Sequence, residues 1–277
     1  MTALALGPFV LAGDRLAALI ALLVYLLVIE LVEWRRWRRG AAAGLGRWPM
    51  LVVLGWVLAA RAGFVLSNGA TFAARPLDVL KVWQGGFSAT AGGYGAAFVI
   101  AAAALSARRA VAPLIAAAVL AALVSNGAML ALSARAPGGP GRLPAAAFAD
   151  LDGRAAPLDP EGRPVVVNLW ASWCGPCRRE LPMMQEVAAQ APQVTLRFVN
   201  QGETPAAIRR FLAETHLSGA DVRLDPERSL MARFGAIGLP ATLFFRADGR
   251  LERGVIGEIS RAELLRQIAA ISAPGRT

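Results

Sequence analysis

A chain of 277 residues that is 56% hydrophobic, with a mean hydropathy of +0.49, is too apolar to be one water-soluble globule. Its formal charge of +10 is unevenly placed: residues 1–140 hold 12 Lys and Arg against 4 Asp and Glu, and residues 141–277 hold 17 against 15. The positive excess thus accompanies the apolar half, which fits orientation in a bilayer and excludes nucleic acid as a partner, since a nucleic-acid reader would gather that charge on its soluble domain.

In chain order, apolar runs cover about Leu16–Val32, Pro49–Leu66, Thr90–Leu105 and Ala110–Leu132. A helix crossing a ~30 Å hydrocarbon core needs roughly 20 residues, with about 17 as the lower limit. The pattern predicts about four transmembrane spans within residues 1–133, the third being short and rich in glycine (Gly92, Gly93, Gly95). A cleaved signal peptide is not expected from the first run, because its basic cluster follows the apolar stretch and the run is long. The first connection carries Arg35, Arg36, Arg38, Arg39 and Arg47, and the third carries Arg108 and Arg109; the second has only Arg75 and Lys81 against Asp78. Four spans put both basic connections on one side, the cytoplasmic one. The N-terminus and everything beyond Ser133 then face the periplasm or exterior, where disulfides persist.

Residues 134–144, rich in Gly and Pro, read as a linker. After it the periodicity changes. Pro164–Trp170 is a β-branched apolar run expected of a strand buried on both faces. A helix is predicted over Arg178–Gln190, a strand over Val194–Val199, and a helix over Pro205–Glu214 capped by Thr204. A further helix is predicted near Pro226–Phe234. Strands over Ala241–Phe245 and Leu251–Ile256 flank a turn at Ala247–Arg250. The last helix, Ser260–Ile271, opens with Ser260 and Glu263 at capping-box spacing. Residues 145–277 therefore form an α/β domain.

Only two cysteines exist, and both lie in Trp173-Cys174-Gly175-Pro176-Cys177. No second pair or histidine cluster completes a zinc site, so no metal is expected, and Arg178 after Cys177 excludes haem attachment. The lone histidine, His216, reads as a surface residue. A disulfide exchanger needs a thiolate at neutral pH and a second thiol to resolve the mixed disulfide. A C-x-x-C at the end of a buried strand and the start of a helix supplies both, because free N–H groups and the helix dipole favour charge on the first sulfur. Cys174 is the expected nucleophile and Cys177 the resolving thiol; their disulfide is the redox centre, with no other cofactor.

The segment Val167–Pro182 resembles the active-site segment of the thioredoxin superfamily, most of all the extracytoplasmic TlpA/ResA-like thiol–disulfide oxidoreductases. The resemblance covers about Leu143–Ile271 and implies a thioredoxin-like fold after the membrane region. It also implies that Pro240, within Gly238-Leu239-Pro240-Ala241-Thr242, is cis and lies against the dithiol, with backbone at Leu239 holding an extended substrate segment; by sequence alone Pro240 also fits an ordinary proline before a strand. Trp170 and Trp173 should pack beside the dithiol and shape the substrate face rather than do chemistry, with Gly175 and Pro176 beside them. Where thioredoxin keeps a buried aspartate this chain has Asn168, so proton handling must use another group. Glu180 matches a glutamate near the dithiol in ResA-like members, and a partly buried carboxylate would exchange protons with Cys177; the plainer alternative is a first-turn glutamate favoured by the dipole. Glu203, in Asn200-Gln-Gly-Glu203, is a second candidate.

Gly-Pro between the cysteines is the dipeptide of thioredoxin, a reductant near about −270 mV, which favours a reductase of protein disulfides. The spans contain no cysteine to relay electrons, so a membrane electron donor of the DsbD/CcdA type is implied. Gly7–Val10, Arg61–Leu66 and Pro76–Ser88 resemble prolipoprotein diacylglyceryl transferase, but the family's histidine motif is replaced by Ser88-Ala-Thr-Ala-Gly-Gly93. This implies a truncated relative serving as an anchor, with Arg61 pairing an anionic headgroup or snorkelling to the interface. The alternatives to a reductase are a diacylglyceryl transferase-type enzyme carrying a redox module and a copper or haem-protein maturation chaperone.

Overall fold

The computed structural model describes residues 3–6, 9–40, 44–135, 141–159 and 162–273. They form two compact units, one of Asp14–Ala134 and one of Met1–Gly13 together with Arg135–Thr277. A short antiparallel hairpin at the start, β1 (Ala3–Leu6) and β2 (Phe9–Ala12), was not expected from the sequence and groups with the second unit. Gly7 and Pro8 of the transferase resemblance, and residues 136–140 of the expected linker, lie outside the described residues.

The first unit is helical: α1 (Gly13–Arg38), α2 (Trp48–Ser67), the short α3 (Gly69–Ala74), α4 (Ala89–Ser106) and α5 (Arg108–Arg135). Among the described residues four helical stretches, Arg15–Arg38, Trp48–Ser67, Ala89–Ser106 and Arg108–Ala131, are long and apolar enough to cross a membrane. The glycines that make the third stretch look weak have a packing reason. A Cβ on Gly95 would lie 2.3 Å from the Gly55 carbonyl, and one on Gly92 would lie 2.7 Å from the Trp56 ring, so α2 and α4 approach closely only because these positions lack side chains. Ser88 caps α4 by accepting from Ala91 N–H and donates its own N–H to the Ala60 carbonyl of α2. The two basic connections lie at one end of this unit: Arg36 reaches the Arg109 carbonyl at 3.5 Å.

Arg61 finds backbone partners within its own unit. Its Nε donates to Val79, Nη1 to Gly85 and Gly86, and Nη2 to Asp78 and Val79, all backbone carbonyls at 2.8–3.1 Å. Five donors are all a guanidinium has. The side chain thereby orders the two 3₁₀ turns at Pro76–Leu80 and Val82–Gln84. Mid-helix arginine signals a charge needing partners, but sequence does not reveal that the partners are carbonyls 17 to 25 residues away.

In the second unit a hairpin of β3 (Ala147–Ala149) and β4 (Ala155–Pro157) precedes a five-stranded sheet. Its elements are β5 (Val165–Trp170), α6 (Gly175–Gln190), β6 (Thr195–Gln201), α7 (Pro205–Thr215), β7 (Val222–Asp225), α8 (Ser229–Phe234), β8 (Ala241–Phe245), β9 (Leu251–Ile256) and α9 (Arg261–Ser272). The strand order is β7-β6-β5-β8-β9; β5 runs parallel to β6 and antiparallel to β8. All six residues of β5 are buried, as its unbroken apolar run requires. Alternate side chains serve opposite faces: Val166 and Trp170 join a core with Leu181, Met184 and Phe198, while Val165, Val167 and Leu169 join one with Leu230, Phe234 and Leu243.

Three local features differ from expectation. The hairpin β3–β4 and strand β7 were missed, because three- and four-residue strands leave too little alternation to read. Helix α8 starts at Ser229, not near Pro226. Asp225 explains this: its carboxylate accepts from Ser229 N–H, Ser229 Oγ and Leu230 N–H, pulling the helix start past the intervening turn. At α9, Ser260 accepts from Glu263 N–H as a cap should, but Glu263 turns to Arg266 and Gln267, so only half of the capping box forms. Thr204 caps α7, and exposed His216 ends it in the left-handed conformation at φ 56°.

Candidate active site

Strand β5 delivers the chain to the dithiol. Beyond Trp170 the backbone turns, Cys174 N–H bonding Ala171 O, and Cys174 becomes the N-cap of α6. Pro176 sits in the first turn, where its missing N–H costs nothing. Cys174 and Cys177 are joined as a disulfide, with Cα atoms 5.3 Å apart. Cys174 Sγ accepts the Cys177 backbone N–H at 3.3 Å. This is the bond that stabilises a thiolate at Cys174 once the disulfide opens, reinforced by the helix dipole. Cys174 is 5% exposed and Cys177 wholly buried, so the outer sulfur is the one a partner meets.

The expected substrate-face residues divide. Trp173 is 64% exposed; Gly175 is exposed and Pro176 half-buried. Trp170, by contrast, is fully buried in the core cluster that contains both cysteines, its ring 5.5 Å from that of Phe211. Arg178 closes this stack, with its guanidinium 5.0 Å from the Phe211 ring centre. The Leu239–Pro240 peptide is cis. Because Leu169 of β5 pairs with Ala241 of β8, this peptide emerges from the same end of the sheet as the dithiol. Pro240 is buried and its carbonyl accepts from Gly257 N–H, while Leu239 packs against both cores.

Behind the cysteines lies an acid. Glu180 is wholly buried, not partly buried as expected. Being three residues after Cys177 on α6, it shares that cysteine's helix face. Asn168 Nδ2 donates to Glu180 Oε1 at 2.8 Å and to Thr242 Oγ1 at 3.1 Å, and Ile259 N–H donates to Glu180 Oε2 at 3.0 Å. Asn168 and Thr242 are register partners on adjacent strands, and Asn168 has the parity of Val166 and Trp170, which aims it at α6. Burial pushes the Glu180 carboxyl up to about 8, against the lowering effect of the Ile259 and Asn168 hydrogen bonds; nearby Glu258 pushes it further up and Arg179 draws it down. The strand position that lacks an acid thus holds the amide that orients one contributed by the helix.

Glu203 proves to be a brace. It accepts from Ser172 N–H at 2.7 Å, from the Ser172 hydroxyl, and from Asn200 Nδ2 at 2.7 Å, tying the end of β6 to the loop that carries the dithiol. Replacing Glu203 with Ala strips three acceptor bonds from a half-buried junction and is expected to cost about 2–4 kcal/mol. Urea unfolding followed by tryptophan fluorescence measures this; rates with a small-molecule disulfide should change by less than about threefold. Ile259 carries no signal in the sequence, and Ser172 and Thr242 stand in matching segments without showing their roles, since each matters through a partner 31 or more residues away.

Residues 143–253 match the family model described as AhpC/TSA family. The thiol–disulfide oxidoreductase ResA of Bacillus anthracis is 29% identical over 118 residues, covering 42% of this chain and 68% of that protein. The C-terminal region is a ResA/DsbE-like thiol–disulfide oxidoreductase of thioredoxin fold. The thiol:disulfide interchange protein DsbE of Pseudomonas fluorescens biotype C is 33% identical over 113 residues, covering 40% of this chain and 62% of its own. Among solved structures, a thiol:disulfide interchange protein DsbE from Chlorobium tepidum is 26% identical, with 49% of this chain and 99% of that one covered, at a TM-score of 0.45. The named relatives and the family match make this chain an enzyme of the thiol–disulfide oxidoreductase kind.

Proposed function

We propose that this protein is a membrane-anchored reductase of extracytoplasmic protein disulfides, resident in a bacterial inner membrane with its oxidoreductase domain facing the periplasm. The observation that carries the chemistry is the capped Cys174 sulfur with its wholly buried partner Cys177, backed by Glu180. Attack of the Cys174 thiolate on a client disulfide forms a mixed disulfide and releases one client thiolate. Cys177 then attacks Cys174 Sγ, closing the Cys174–Cys177 disulfide and releasing the second client thiol. The client gains two electrons and the dithiol loses two. With no cysteine elsewhere in the chain, the dithiol is restored by a separate membrane electron donor, of the DsbD/CcdA type.

Membrane anchoring is supported by the outward faces of the helices: Leu23, Leu27, Leu58, Phe98, Leu105 and Leu123 are each 60–88% exposed, more apolar surface than water tolerates on a soluble protein. Orientation is supported by the shared end of the two arginine-rich connections. Lipid transfer is not favoured, because every donor of Arg61 is already used.

Two measurements test the reading. The full-length protein in detergent should reduce insulin disulfides and equilibrate near the thioredoxin end of the scale, about −270 mV; a value near about −120 mV would make it an oxidase. Since both thiols belong to the dithiol, an impermeant maleimide needs no engineered background. It should label the reduced protein in intact spheroplasts, and labelling only after lysis would reverse the topology.

A further inference from the structure

Glu180 is enclosed from several elements, and the neutral and charged groups around it separate cleanly. Asn168 of β5, Thr242 of β8 and the Ile259 N–H supply the neutral contacts. The charged groups acting on it are Arg179, its neighbour on α6, and Glu258, in the segment between β9 and α9. These two bind each other: Arg179 donates to Glu258 Oε2 through Nε at 3.0 Å and through Nη2 at 2.7 Å. The Glu258 side chain is only 5% exposed, whereas that of Arg179 is 55% exposed. Consecutive residues of α6, 179 and 180, are thus joined to consecutive residues of the facing segment, 258 and 259.

We propose that Arg179 and Glu258 form the positioning pair for Glu180, clamping the segment that presents the Ile259 N–H and balancing the charge around the carboxyl. This rests on the reading of Glu180 as the proton partner of the dithiol. The geometry gives the pair two separable effects. As a clamp, either partner's loss loosens the same turn and both losses act alike. As a charge balance they act oppositely: Glu258 is a like charge that resists ionisation of Glu180, and Arg179 is an opposite charge that favours it. Because Glu258 is buried, its field is poorly screened by solvent and salt.

The test is the pH profile of thiol alkylation and of insulin reduction by the full-length protein in detergent. Glu180→Gln first identifies the limb of the wild-type profile that belongs to Glu180. Glu258→Gln is expected to move the midpoint of that limb down by about half a unit or more, and Arg179→Gln to move it up by a similar amount. The double variant R179Q/E258Q should lie between them, and Arg179→Lys, which keeps the charge, close to wild type. Shifts of Glu258→Gln and Arg179→Gln in the same direction would overturn the charge balance, since loosening the shared turn acts alike from either side, and a limb that stays put in both would overturn the pairing altogether; either result leaves Glu180 as proton partner. A wild-type profile with no limb that Glu180→Gln removes would overturn that underlying role, and the pairing with it, before either charge is touched.

Discussion

Replacing Cys174 with Ser is expected to abolish disulfide reduction, a fall on the order of 10³-fold or more, whereas Cys177→Ser should complete the first half of the reaction and stop there. The asymmetry follows from position. Cys174 Sγ caps α6 and receives the Cys177 N–H, so it alone has a donor waiting for its negative charge. A serine hydroxyl there keeps the hydrogen bond but remains protonated and is a poor nucleophile. Cys177 is wholly buried, so a client sulfur cannot reach it; its only accessible target is Cys174, whose Cα is 5.3 Å away. Removing Cys177 therefore leaves the mixed disulfide nowhere to go. No third cysteine can rescue either variant. Non-reducing gels of the purified protein with a disulfide client should show stoichiometric adduct with Cys177→Ser and none with Cys174→Ser. Adduct from Cys174→Ser alone would invert the two roles.

The parts of this site that were legible in the sequence are those whose meaning is local. Cys174 to Cys177 is one helical turn, and its position between an apolar β-branched strand and a helix could be read from adjacent residues. Thr204 and Ser260 were likewise readable as caps, since a cap acts within three residues. The third span showed the limit of this. Its glycines read as weakness because sequence cannot show that Gly95 lies against Gly55, forty residues earlier. The same limit hid the proton site. Asn168 could be seen as the absence of an acid, but its function is to hold Glu180, and that depends on strand parity and on a helix docking above the strand. Glu203 stands out by its loop, but its bracing role is not legible there, because its bond to Ser172 spans 31 residues. Sequence thus marked which residues were unusual, and tertiary packing decided what each was for.

Glu180→Gln is expected to separate stability from chemistry. In the folded protein burial raises the Glu180 carboxyl from 4.5 to about 8. Below about pH 4.5 both folded and unfolded chains carry the proton, and the site costs nothing. As pH rises from there the unfolded chain releases its proton while the folded one retains it, so the folded state binds more protons and stability falls with pH. The loss is complete once pH passes about 8, and its ceiling is roughly 5 kcal/mol, a figure in which the hydrogen bonds from Asn168 and Ile259 are already included. Gln, neutral throughout, removes this dependence. Denaturant midpoints should therefore show the variant equal to wild type or slightly weaker near pH 4.5 and more stable near pH 8.5. Catalysis should move the other way. Resolution of the mixed disulfide requires Cys177 to lose a proton inside the protein, and a carboxyl on the same helix face whose pKa lies near the working pH is placed to take it through its ionised fraction, the minor one at about pH 7. Glu180→Gln should slow that step by about 10²-fold at pH 7, read as mixed disulfide that persists in a chain retaining both cysteines. A variant that is both more stable at high pH and slower to resolve identifies Glu180 as a group kept at a cost to folding. A variant that gains stability and resolves at the wild-type rate would leave the acid without a part in the reaction.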